Sequence, residues 1–202
     1  MTFQLTLTAV SHIPDVQPGD DLAALLLAAL AQSDITLQDG DVLAVAQKIV
    51  SKAEGRLVDL ASVTPDAEAE RVAAATHKDP RLVALILQES TGISRHKPGV
   101  LVTHHRLGFT SANAGIDHSN VGAGDETVLL LPEDPDATAV SLRQRIKTET
   151  GVDVGIVITD SHGRPFRLGT VGVAIGAAGL PALWDRRGER DRYGTVLQHT
   201  EV

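Results

Sequence analysis

The sequence predicts a mixed α/β fold, built as one unit or as two interwoven lobes. Short apolar runs such as Val42–Ala46 and Val154–Thr159, each bounded by turn residues, have the length and composition of strands. Between them lie helical segments opened by aspartate or proline, at 21–32, 65–76, 80–90 and 137–150. No repeat and no low-complexity linker divides the chain.

Taken in order, Gln4 to Val10 alternates Leu5, Leu7 and Ala9 as a short strand, and a loop from His12 to Pro18 follows. Gly19, Asp20 and Asp21 cap a helix through about Gln32, whose dense Leu/Ala surface predicts burial on more than one side. Asp39 to Asp41 turns the chain into strand 42–46, which meets the segment Gln47–Lys52 and ends at Glu54–Arg56. Two helices, 65–76 and 80–90, are expected to pack away from any site. Strands at 100–103 and 108–112 flank His104–Leu107 and lead into the small, polar segment 111–122. A strand at 128–131, a turn at 132–136 with its N-cap, and a helix from Ala137 to Thr150 closed by Gly151 precede strand 154–159. The rest is a Gly/Ala-rich stretch at 169–179, a charged stretch at 183–194 and a terminal strand at 198–202.

Composition removes several function classes. The 202 residues carry 18 basic and 26 acidic side chains, a net charge of −8, which disfavours a nonspecific grip on nucleic acid or on an anionic membrane. Three Phe, one Tyr and one Trp leave little material for stacking nucleic acid bases. There is no cysteine, so disulfides and thiolate metal sites are excluded and Asp, Glu and His are the available ligands for a hard cation. The longest apolar run, Leu22–Leu30, is too short to cross a bilayer, and the first residues carry no charged leader; a cytoplasmic protein is expected.

Asp160 follows an apolar strand, where open α/β sheets bind their ligands, and with Ser161 it could hold a divalent cation through oxygen. It could equally cap a turn and pair with Arg164. Asp117, among Gly115, Ser119 and Asn120, would let a cation or phosphate approach the backbone, or would form an ordinary Asx turn. Lys52, with Lys48 as its competitor, could place a point charge on a nucleotide phosphate or simply be solvated. No G-x-x-x-x-G-K-S/T, H-E-x-x-H or G-x-S-x-G pattern occurs. His104 and His105 are neighbours on a strand and face opposite ways, which argues against joint chelation. Arg164 and Arg167 could recognise phosphate or carboxylate, and the charges of 184–192 suit a salt-bridge lattice or a subunit interface better than catalysis.

Five separated blocks, GDVLAVAQKIVSKAEGR (40–56), SANAGIDHSNVG (111–122), LLPEDPDATAVSLR (130–143), VITDSHGRPFRLGTVGVAIGAAGL (157–180) and WDRRGERDRYG (184–194), closely resemble the coenzyme F-420:L-glutamate ligase family in sequence, order and spacing. The resemblance implies a single ligase-like domain over 1–202, with mixed sheets in two interwoven lobes and an intertwined homodimer whose groove holds the site. It implies a GTP-dependent ligase that joins L-glutamate to the deazaflavin precursor through an acyl phosphate, with magnesium or manganese, potassium as a further ion, and further γ-linked glutamates. By position, Asp117 and Asp160 match metal ligands and Ser161 a hydroxyl on a second metal. The loop Ile13, Pro14, Asp15 and Val16, together with Gln47, Lys52 and Asn120, matches GTP-contacting positions. Relatives often carry Ser or Thr where Gln47 stands. The family is expected to continue past position 202 into a helix and a nucleotide loop, so this chain would lack both. The other readings are a deazaflavin- or nucleotide-binding module without catalysis, and a paralogous amide ligase for another carboxylate.

Overall fold

The computed structural model describes residues 4–118, 121, 126–163 and 168–201, whose helices and strands form a mixed α/β arrangement. Helix α1 (Leu22–Gln32) begins where the Asp21 carboxylate accepts the amide of Ala24. Strand β1 (Val42–Ala46) runs straight into α2 (Gln47–Ala53). The chain then leaves this lobe through β2 (Leu57–Asp59), α3 (Ala67–Thr76), α4 (Pro80–Gln88), β3 (Ser90–Lys97), β4 (Val100–His105), β5 (Thr110–Ala112) and β6 (Thr127–Leu129). It returns through α5 (Pro135–Thr150), β7 (Gly155–Gly163) and β8 (Thr170–Ala178).

Two cores follow from this path. The first packs α1 and α5 on a three-stranded sheet of order β1-β7-β8, with Leu22, Leu26, Val45, Leu142, Ile146, Ile156 and Ile158 buried together. Strands β1 and β7 are parallel; β8 returns antiparallel to β7 with a bulge opposite Ile158 and Thr159. Truncating Ile156 or Ile158, both fully buried, to alanine would cost about 2–5 kcal/mol by leaving a cavity in a close-packed interior. Helix α5 lies so near β8 that a Cβ on Gly176 would come within 2.5 Å of the Pro135 backbone carbon, so only glycine fits there. The second core gathers Leu60, Val72, Val83, Ile86, Leu101 and Val128 from α3, α4, the antiparallel β3-β4-β5 sheet and the β2-β6 pair. Because the chain enters the second core between two visits to the first, the lobes are interwoven, as expected.

Several elements differ from the sequence reading. No strand forms from Gln4 to Val10, where Leu5 and Leu7 are 85% and 89% exposed; alternation without a neighbouring strand buries nothing. Strands β2, β3 and β8 were not anticipated, and β3 is polar along most of its length, which hides it from a pattern search. Helix α5 starts two residues early because Asp134, rather than Asp136, caps it by accepting the amide of Ala137. The end of the chain forms isolated bridges, Asp185 with Glu201 and Arg190 with Val196, in place of a strand over 198–202. Most consequential for the site, β7 runs through Asp160 to Gly163 rather than stopping at Thr159.

Candidate functional site

Parallel pairing of β1 with β7 sets Ala46 opposite Thr159, so Gln47 and Asp160 are the next residues at the same end of the pair. That is the carboxyl-terminal edge of the parallel strands, where side chains converge on ligands in α/β sheets. Asp117 reaches this edge from the other lobe. Its backbone is fixed by reciprocal hydrogen bonds with Leu129 on β6, Asp117 N–H to Leu129 O at 3.0 Å and Leu129 N–H to Asp117 O at 2.9 Å. The preceding turn needs Gly115, whose φ of +68° and contact with Leu131 exclude a larger residue. From there the Asp117 Oδ2 accepts a 2.8 Å hydrogen bond from Gln47 Nε2 and lies 3.4 Å from Lys48 Nζ. Asp117, 43 residues before Asp160 along the chain, is thus tied by Gln47 to the end of β1, beside the end of the pairing with β7 from which Asp160 follows.

Asp160 keeps close company with His162, whose Nε2 is 3.0 Å from Asp160 Oδ2. Both side chains are nearly buried, at 13% and 11% exposure, and they share one face of β7 by strand alternation. The imidazole of His162 is therefore an inward strand residue against the acid. Ser161 is exposed and lies on the opposite face of β7. The ring of His162 leans on Phe109 at 5.0 Å, and Phe109 stacks on His105 at 5.0 Å with the planes 3° apart, which joins β7 to the β4-β5 sheet.

Lys52, one turn beyond Lys48 on α2, donates to Asp15 Oδ1 at 2.8 Å. That bond, and the lysine's charge beside it, hold the Asp15 carboxyl below its usual range. In the same loop Val16 is buried in the first core, Ile13 packs against it, and Pro14 and Asp15 are exposed, so α2 carries the loop on its surface. Asn120, Arg164 and Arg167 lie outside the described residues. In the charged stretch 183–194, Arg187 pairs with Asp185 and Glu201, Arg186 pairs with Glu189 and covers Trp184, which makes the lattice the sequence suggested.

A divalent cation fits these donors in kind. The carboxylates of Asp117 and Asp160 offer hard oxygen donors, and among the described residues no group of three or more His, Asp or Glu side chains could hold a metal ion. Two carboxylates with the remaining positions left to water and phosphate is the habit of magnesium and manganese with nucleotides.

Sequence reasoning missed a second charged cluster. Glu89, only 6% exposed, accepts from Arg56 Nη2 at 2.8 Å and from Arg106 Nε at 2.9 Å, with His105 Nε2 at 3.8 Å. The arginines also donate to the carbonyls of Leu131, Pro132 and Glu133. Burial alone would raise the Glu89 pKa, but the two arginines together outweigh it and hold the carboxyl low. Burial, helped by the Arg106 charge, pushes His105 down to about 4. Its neutral ring accepts the Leu107 amide at Nδ1. Nothing in the spacing of Arg56, Glu89 and Arg106 signals this cluster; only the fold assembles it. A groove between the end of α2 and α5 is also acidic, but the Glu54 carboxylate there is consumed by the Glu133 amide and the Thr138 hydroxyl.

The chain is a mixed α/β protein in which Asp117, held by Gln47 and near Lys48, meets the edge where the parallel strands end. The chain belongs to the F420-0:gamma-glutamyl ligase family, whose profile matches residues 11–202. It is 52% identical over 187 residues, 93% of this chain and 71% of the relative, to the coenzyme F420:L-glutamate ligase of Methanopyrus kandleri. The ligase of the same name from Methanothermobacter thermautotrophicus is 46% identical over 98% of this chain and 78% of its own length. That of Haloarcula marismortui is 48% identical over 95% and 74%. Among the described residues no helix is long and apolar enough to cross a membrane.

Proposed function

We propose that this protein is a GTP- and divalent-metal-dependent ligase that adds L-glutamate to the deazaflavin precursor of coenzyme F420, with further γ-linked additions available to the same site. The observation that carries the reading is the 2.8 Å bond from Gln47 to Asp117, since Gln47 directly follows the β1 residue paired with Thr159 and so holds Asp117 at the edge where Asp160 emerges. Family membership and the names of the relatives support the substrate class.

In this reading the γ-phosphoryl group of GTP passes to a carboxylate of the deazaflavin precursor, giving an acyl phosphate and GDP. The glutamate amine then attacks the acyl carbon, the C–N bond forms as phosphate leaves, and the amine gives up a proton. Asp117 and Asp160 would hold the cation, and Ser161 would serve a second ion from its own face of the strand. A bound metal would neutralise charge on the phosphate oxygens as the phosphoryl group moves. Lys48 and Lys52 on α2 would supply fixed positive charge beside the phosphates, and the Ile13–Val16 loop, with Asn120, would border the nucleotide. Potassium and a homodimeric assembly belong to the same reading; the exposed Leu183, Trp184 and Val196 offer apolar area to such an interface.

Incubation with deazaflavin precursor, L-glutamate, GTP and Mn2+ should give a product heavier by one glutamate residue, with GDP and phosphate in equal amounts. Asp160→Asn should give none while keeping the wild-type unfolding midpoint. Intact cofactor binding without product would favour a binding module, and product with a different carboxylate alone would favour a paralogous ligase.

A further inference from the structure

Gln47 is only 3% exposed, and both ends of its amide are committed. Its Nε2 donates to Asp117 Oδ2 at 2.8 Å, and its Oε1 accepts from the Ser51 hydroxyl at 2.9 Å. Ser51 is fully buried one turn further along α2, which places the two side chains on one face of the helix. The carboxylate fixes the sense of the amide, because reversing it would set a carbonyl oxygen against Asp117 Oδ2. Lys48 Nζ competes for that same Oδ2 from 3.4 Å. Oδ2 of Asp117 thus faces α2, and Oδ1 accepts no hydrogen bond among the described residues.

We infer that Gln47 is a positioning residue for Asp117. The Ser51–Gln47–Asp117 relay engages Oδ2, turns Oδ1 toward the cation, and keeps Lys48 from drawing the carboxylate into a closer ion pair. A neutral donor suits this role: it orients the ligand without cancelling the charge that attracts the metal. The inference rests on Asp117 being a metal ligand, as proposed above.

The test is Mn2+ binding to the full chain without nucleotide, read by electron paramagnetic resonance. Gln47→Ala should weaken binding about 10–100-fold, the usual effect of removing a group that orients a metal ligand. Ser51→Ala should act in the same direction by a smaller factor. Gln47→Met, which keeps the length and removes the donor, should match Gln47→Ala and serves as the measurement should the alanine variant fail to fold. In an Asp117→Asn background, Gln47→Met should change the residual Mn2+ affinity no further. An unchanged Mn2+ affinity in Gln47→Met, or the same factor lost in both backgrounds, overturns the positioning role, as does a change confined to the preference for GTP over ATP. If the wild type binds no Mn2+, or Asp117→Asn binds it as the wild type does, the metal reading itself fails.

Discussion

Two charged clusters lie on either side of Phe109, and they have opposite fates. Around Glu89 both carboxylate oxygens are taken: Arg56 and Arg106 each donate to one of them and give further N–H groups to three backbone carbonyls. Among the described residues, Asp117 has one oxygen bonded, by Gln47 with Lys48 nearby, and Asp160 has His162 Nε2 3.0 Å from one oxygen. The difference teaches that a buried, well-paired carboxylate can belong to the packing of this protein rather than to its proposed site. His105, held at about 4, belongs to the cluster that folding completed. The Glu89 pairing locks together α4, β4, the entry to β2 and the loop before α5; the proposed site would keep carboxylate oxygens for a ligand.

The sharpest way to break this contrast is Glu89→Ala. It strands two largely buried guanidiniums, and removing one partner of a buried ion cluster costs about 3–5 kcal/mol, so the urea midpoint should fall steeply. Asp117→Asn should do the reverse: ligase turnover drops about 10²–10³-fold, as for loss of one electrostatic contact to the transition state, while the midpoint stays or rises. If Asp117→Asn unfolds the protein and Glu89→Ala merely lowers kcat, the roles assigned to the two clusters are exchanged.

Acid should expose the same asymmetry. The folded state holds His105 at about 4 against an ordinary 6.5, so between those values the unfolded chain binds the extra proton. Stability should therefore fall as pH drops from 6.5 toward 4, and chemical denaturation of His105→Gln should lose that slope. Glu89, held low, adds stability that is present above its ordinary 4.5 and disappears as the pH falls through its folded value. Asp134→Ala, which removes the cap of α5, should cost about 1 kcal/mol with turnover per folded molecule unchanged. Lys52→Ala, paired with the exposed Asp15, should leave the midpoint unmoved and raise KM for GTP, because its contact on the solvent side is a weak stabiliser.

Much of the fold was legible because local signals agreed. Asp21 before a Leu/Ala run, Pro80 at the first turn of α4 and Gly151 after α5 are start and stop marks whose physics is contained within a few residues. The apolar runs of β1 and β7 were equally clear. Leu5 and Leu7 carried the same alternation without a strand to pair with, and polar β3 carried none yet pairs along β4. Strand formation is decided by the neighbour, which no window of sequence contains.

The sequence by itself determined the acidic, cysteine-free chemistry, the helix caps, the candidate acids Asp117 and Asp160, and the family to which five separated blocks belong. The tertiary structure alone decided that β7 continues past Asp160 to bring His162 against it, that Gln47 turns its amide inward to Asp117, and that Arg56, Glu89 and Arg106 close into one buried cluster. The division has a physical cause. Caps and apolar runs act over a few residues of chain, whereas a carboxylate's partners are fixed by packing two cores whose segments lie tens of residues apart, and that distance is spanned only when the chain folds.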